Sequence, residues 1–276
     1  MGKVRIAAVQ YKSVLGSVRK NVLKIKGFIK KIMMEESDTR LIIFPELALS
    51  GYSYFSDMKD IAETIEGDAI REICDIAKEE GVSLILGYPE RDIYYKDRIY
   101  NSLIYIEKDG TVQGNYRKMN LLHNEKKIFY PGSSCRAIKT EFGKLGLLLG
   151  WDVIFSMPSK SYKEEDVDFL IVASAWEKLY SNQWNFNMKN RAEENSCIVI
   201  AVNAIGRCGD ISFLGRTEFV NAKGNSIKVC DDKEDTYISY VFKVKSMNHS
   251  DVDGEDQSEE FSEEAYIDEI IEIPIE

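Results

Sequence analysis

The sequence predicts an α/β fold with much antiparallel pairing, and three observations carry that expectation. Strand-sized apolar segments recur along the chain, amphipathic helical stretches separate the early ones, and hairpin signals occupy the middle. Residues 4–10 read as the first strand. The stretch 18–32 then places Val18, Val22, Ile25, Ile29 and Ile32 on one helical face, so a helix should lie on a sheet there. A strand over 40–45 follows. A second helix over 68–80 gathers Ile70, Ile73, Cys74 and Ala77 on one side, with Gly81 as its stop before a strand at 82–87. Residues 101–116 read as a hairpin turning at Asp109-Gly110, and 136–149 as another turning near Gly143. Beyond them a strand at 168–173, a helix at 183–195 and a strand at 197–203 alternate again. Hairpin-like segments are expected around Gly215 and Lys223-Gly224.

Composition narrows the function classes. The 276 residues are 44% hydrophobic and 30% charged, as in a soluble globular protein. The longest apolar runs, 41–44 and 145–149, fall far short of the roughly 18 residues that cross a bilayer, so no membrane partner is expected. No apolar signal core follows Met1, which predicts a cytoplasmic protein. Five cysteines without close pairs and two histidines, His123 and His249, argue against a disulfide scaffold and a zinc site; no metal or cofactor is expected. The net charge of −10 is unevenly spread. Residues 231–276 hold 16 Asp or Glu against 3 Lys or Arg, leaving residues 1–230 slightly positive, so nucleic acid has no basic footprint to bind. Within that tail, 248–264 carries eight acidic residues and no basic one, and is expected to be disordered, while 265–276 regains alternation and could dock.

Three segments place an ionisable residue or a glycine just after an apolar strand or hairpin, where α/β folds gather their sites. Glu46 follows Pro45 in 41–52, Lys118 follows the first hairpin, and Gly150 ends the strand of 143–149 before Trp151-Asp152. Taken singly, a loop carboxylate and a solvated lysine are the ordinary readings.

Together, Phe44-Pro-Glu-Leu-Ala-Leu-Ser-Gly-Tyr52, Tyr116-Arg-Lys118, Gly132 after Phe129-Tyr-Pro, the stretch 184–195 ending Arg-Ala-Glu-Glu-Asn, and Ile200-Ala-Val-Asn203 resemble the nitrilase superfamily of carbon-nitrogen hydrolases over residues 4 to about 229. The resemblance implies a four-layer α-β-β-α sandwich over a domain spanning 1–247, pairing into a homodimer or higher homo-oligomer, and a small linear amide or carbamoyl substrate. It also implies a Glu-Lys-Cys triad in which Glu46 is the general base, Lys118 stabilises the oxyanion and Glu125 is a supporting second glutamate. Tyr52, Trp151 and Trp176 are the candidate substrate-binding residues; for Trp176, core packing is nearly as good a reading.

The nucleophile departs from that pattern. Where the family has cysteine between an apolar strand and an aromatic-acidic pair, this chain reads Leu147-Leu-Leu-Gly150-Trp151-Asp152. Glycine cannot attack a carbonyl or nitrile carbon, so the chain should be nearly inert. Water activated by Glu46 would be a poor substitute. Three accounts stay open: a natural member that has lost catalysis, a nucleophile removed deliberately, or a replacement thiol, for which Cys208 in an expected loop over 206–209 is the candidate. The function expected is therefore a disabled amidase-like hydrolase, with a natural binding or regulatory relative as the alternative.

Overall fold

A computed structural model describes residues 2–53, 58–208, 210–231 and 234–244. The acidic stretch 248–264, with His249, and the segment 265–276 lie outside the described residues.

Alternation and amphipathicity build the first half as expected. Strand β1 (Gly2–Gln10) leads into helix α1 (Val18–Glu35), whose buried Val22, Ile25, Ile29 and Ile32 follow the predicted stripe. Then come β2 (Thr39–Ile43), a single turn α2 (Met58–Ile61), α3 (Asp68–Glu80) and β3 (Ser83–Arg91). The first predicted hairpin is β4 (Ile99–Ile106) with β5 (Val112–Arg117), paired antiparallel. The second is β6 (Ile138–Thr140) with β7 (Gly143–Leu149), also antiparallel.

The second half alternates again through α4 (Ser156–Glu164), β8 (Phe169–Ser174), α5 (Ser181–Asn195) and β9 (Ile198–Asn203). Four short strands follow: β10 (Ile205–Cys208), β11 (Ile211–Leu214), β12 (Glu218–Val220) and β13 (Ser226–Val229). The last described strand, β14 (Thr236–Val244), pairs antiparallel with β1.

Two expectations need correction. Gly215 does not turn a hairpin, because β10 pairs with β11 ahead of it and β12 with β13 after it, leaving Gly215 in the link between the two ribbons. Cys208 is not in a loop; it ends β10 opposite Ile211. The sequence signal around Lys223-Gly224 does match the turn between β12 and β13.

Two six-stranded sheets result, ordered β14-β1-β2-β3-β4-β5 and β13-β12-β9-β8-β7-β6. Ile6, Leu41, Leu103 and Tyr105 of the first sheet meet Leu147, Phe169, Ile171 and Val202 of the second in one buried cluster, so the sheets pack face to face. The opposite face of the first sheet is covered by α1 and α3 through Ile25, Ile29, Ile70 and Ile73. Trp184 and Met188 of α5 and Tyr162 of α4 cover that of the second. The layers therefore run α-β-β-α. Parallel β1-β2-β3 and β7-β8-β9 put the carboxyl ends of β2, β7 and β8 at one edge of the interface, where open α/β sheets form sites. Among the described residues, no helix is long and apolar enough to cross a membrane.

Candidate active site

Glu46 lies just past β2, in a turn folded tightly over β3. A Cβ on Gly87 would fall 2.3 Å from the Leu47 nitrogen and 2.7 Å from the Glu46 Cα, so only glycine lets the two backbones come this close. Backbone bonds from Gly87 N to Pro45 O and from Leu49 N to Gly87 O fasten the turn. Lys118 leaves the end of β5, with its own N–H bonded to Asn101 O and its carbonyl accepting from Gly132. Glu125 opens a short 3-10 turn, and Leu122 N–H donates to its Oε2 at 2.8 Å.

Glu46 meets Lys118, 72 positions away, and Glu125 in one cluster. The Lys118 ammonium donates to Glu46 Oε1 at 2.9 Å and to Glu125 Oε1 at 2.7 Å. Each member is at most 3% exposed. Asn101 Nδ2 also donates to Glu46 Oε1, at 2.8 Å, while the Ala175 N–H at the end of β8 donates to Oε2 at 2.8 Å. Tyr52 donates its hydroxyl to Glu125 Oε1 at 2.9 Å.

Gly150 stands at the turning point from β7 into a 3-10 turn over Gly150–Ile154, with φ +49°, a backbone state that a side chain would strain. Arg191 of α5 steadies that turn by donating from Nε to Val153 O at 2.7 Å. A Cβ built on Gly150 would lie 2.8 Å from Glu46 Oε2 and 3.1 Å from Lys118 Nζ. Position 150 thus faces Glu46 and Lys118 directly.

The candidate aromatic residues divide. Tyr52 joins the charged cluster. Trp151 and Trp176 stack on each other, centroids 4.7 Å apart, and Trp176 packs on Trp184 and donates Nε1 to Tyr180 O. Their rings fill the core under α5. His123 is exposed.

Sequence reasoning missed Asn101 and read Asp152 only as the acidic half of the pair that follows Gly150. Asn101 is a fully buried amide in the apolar strand Ile99-Tyr-Asn-Ser-Leu-Ile, and that polar interruption was the available signal. Asp152 accepts from Asn120 N–H at 2.7 Å and from the Tyr116 hydroxyl at 2.8 Å, tying the segment after Lys118 to the turn after Gly150.

Burial sets the electrostatics. It opposes the Lys118 charge, but Glu125 and Glu46, with Asp152 beyond, outweigh it and raise the lysine's pKa. Burial raises the pKa of Glu46, a shift that Lys118 moderates and Glu125 reinforces. Asp152 is pushed by burial from 3.8 up to about 6, against the pull of Lys118 and its hydrogen bonds.

A carboxyl raised on folding favours the folded state at low pH and loses that contribution as pH climbs through the folded value. From well below pH 4 to well above about 6 the chain should therefore lose on the order of 3 kcal/mol on account of Asp152. Urea unfolding across that range should show a flatter profile for Asp152→Asn. A profile unchanged by the substitution would contradict this assignment.

The chain belongs to the carbon-nitrogen hydrolase family, whose model matches residues 5–247. A Schizosaccharomyces pombe protein named probable nitrilase is 35% identical over 240 residues, covering 87% of this chain and 88% of its own. The 2-oxoglutaramate amidase of Bacillus subtilis is 24% identical over 224 residues, covering 80% of this chain and 84% of its own. In fold, the crystal structure of a nitrilase-superfamily member from Saccharomyces cerevisiae superposes with a TM-score of 0.80 at 22% identity, over 87% of this chain and 89% of that one.

Proposed function

We propose that this chain is an amidase-like carbon-nitrogen hydrolase without its covalent step, holding a small linear amide or carbamoyl compound and turning it over slowly or not at all. One observation carries the reading: a side chain at position 150 would begin within about 3 Å of both Glu46 and Lys118. Amide hydrolysis by a thiol needs an attacking atom beside a base and a cation, roles that the Glu46 carboxylate and the Lys118 ammonium, 2.9 Å apart, would fill. Glu46 would take the proton, Lys118 would stabilise the oxyanion and Glu125 would hold Lys118. Kinship with amidases supports an amide as the ligand.

A natural binding or regulatory relative is the second reading, favoured by a specific distance. Glu46 Oε2 has settled 2.8 Å from where a Cβ would stand, closer than such atoms normally approach, as in a site arranged around glycine. Both readings expect saturable binding of short aliphatic amides in ligand-observed NMR. They also expect ammonia release at or near background and no covalent adduct by mass spectrometry. Ammonia release abolished by Glu46→Gln would overturn the inert assignment in favour of activated water, and absence of any binding would remove the ligand.

A further inference from the structure

Among the described residues, an ammonium N–H and an amide oxygen of the cluster are left without a partner. Of the three N–H groups of the Lys118 ammonium, one goes to Glu46 and one to Glu125; the third has no recorded partner among the described residues. Asn101 Nδ2 is spent on Glu46, whereas Asn101 Oδ1 is buried with no hydrogen-bond partner among the described residues. Exchanging its N and O would set two acceptors against each other at Glu46 Oε1, so the orientation is fixed by chemistry. A buried unsatisfied acceptor calls for an explanation.

Both groups hang from one atom, because Lys118 Nζ and Asn101 Nδ2 each reach Glu46 Oε1 within 3 Å. A primary carboxamide or carbamoyl group offers the matching pair, a carbonyl oxygen for the ammonium and an N–H for the amide oxygen. A nitrile brings only an acceptor. A carboxylate brings only acceptors and a charge that Glu46, Glu125 and Asp152 would repel.

Resting on the amide-binding reading above, we infer that Asn101 is a specificity residue: its Oδ1 takes an N–H from the ligand and so selects carboxamide or carbamoyl groups over nitriles. A ligand that covers this oxygen without donating leaves it unpaired in the closed site, which costs affinity.

The test is an NMR titration of the full chain with propionamide, propionitrile and N,N-dimethylpropionamide, which share the ethyl group and differ in N–H donors. Propionamide should bind roughly 10-fold or more tightly than the other two. Equal affinity across the series would overturn the inference and leave amide binding standing, as it would if only a water filled the Asn101 oxygen. If no member bound, the inference would fall together with the reading beneath it. Asn101→Ala, if folded by circular dichroism, should bring the three affinities together. A uniform weakening that preserved their ratio would show a merely structural role; should that variant not fold, the ratio in the unaltered chain decides.

Discussion

Gly150→Cys is expected to turn the chain into a working amidase, with ammonia release from short aliphatic amides rising on the order of 10³-fold or more. The thiol would start next to Glu46 and Lys118, so its proton has an acceptor and the tetrahedral adduct a cation. The same substitution should lower stability. A side chain at φ +49° is strained by about 1–2 kcal/mol, and the 2.8 Å approach of Glu46 Oε2 obliges that carboxylate to shift against its bond from Ala175. The measurements are ammonia release, thermal melting and intact mass after reaction with a thiol-directed probe. The parent chain is the control: burial pushes its Cys197 and Cys230 up to about 12 and also raises Cys74 and Cys135, which keeps all four poorly reactive near neutral pH. A folded variant that neither released ammonia nor captured the probe faster than the parent would mean the pocket has diverged beyond the nucleophile. The binding or regulatory reading would then replace the enzyme.

Much of this arrangement was legible in the sequence because it rests on local chemistry. The stripe of Val22, Ile25, Ile29 and Ile32 predicted α1, and Asp109-Gly110 located the turn between β4 and β5, since periodicity and turn residues act over a few positions. The motifs around Glu46, Lys118 and Gly150 named the cluster through resemblance. What escaped depended on distant partners. Residues 236–244 become a strand by pairing with β1, at the far end of the chain, and were obscured by the acidic tail that follows. Gly215 carries a turn signature, yet long-range pairing of β12 with β9 made it a link between ribbons. Asn101 gains its role from Glu46, 55 positions away, and nothing beside it in sequence reveals that partner. The left-handed backbone at Gly150 was invisible for the same reason: the turn after β7 is held by Arg191 on α5.

Lys118→Met should cost about 3–5 kcal/mol at pH 7, among the largest losses any single substitution in this chain can cause. Methionine keeps the length and the apolar stem, so packing changes little. What goes is the ammonium bridging two buried carboxylates, at 2.9 Å from Glu46 and 2.7 Å from Glu125. Left facing each other away from bulk solvent, these buried carboxylates cannot both stay ionised, and one must take up a proton. Burial already raises the pKa of Glu46 while Lys118 restrains the rise, so deleting the cation frees that shift to grow. A carboxyl raised in the folded state contributes stability below its unfolded value, near 4.5, and loses it as pH rises through the folded value. The deficit should accordingly be small at pH 4.5 and widen towards pH 8. Urea midpoints of parent and variant at both values measure it, and Glu46→Gln combined with Lys118→Met should recover part of the loss, because a neutral amide carries no charge to strand. An equal deficit at both pH values, unrelieved by the second substitution, would mean that the lysine serves the fold through packing, and that the charge pairing at the heart of the proposed site carries no weight.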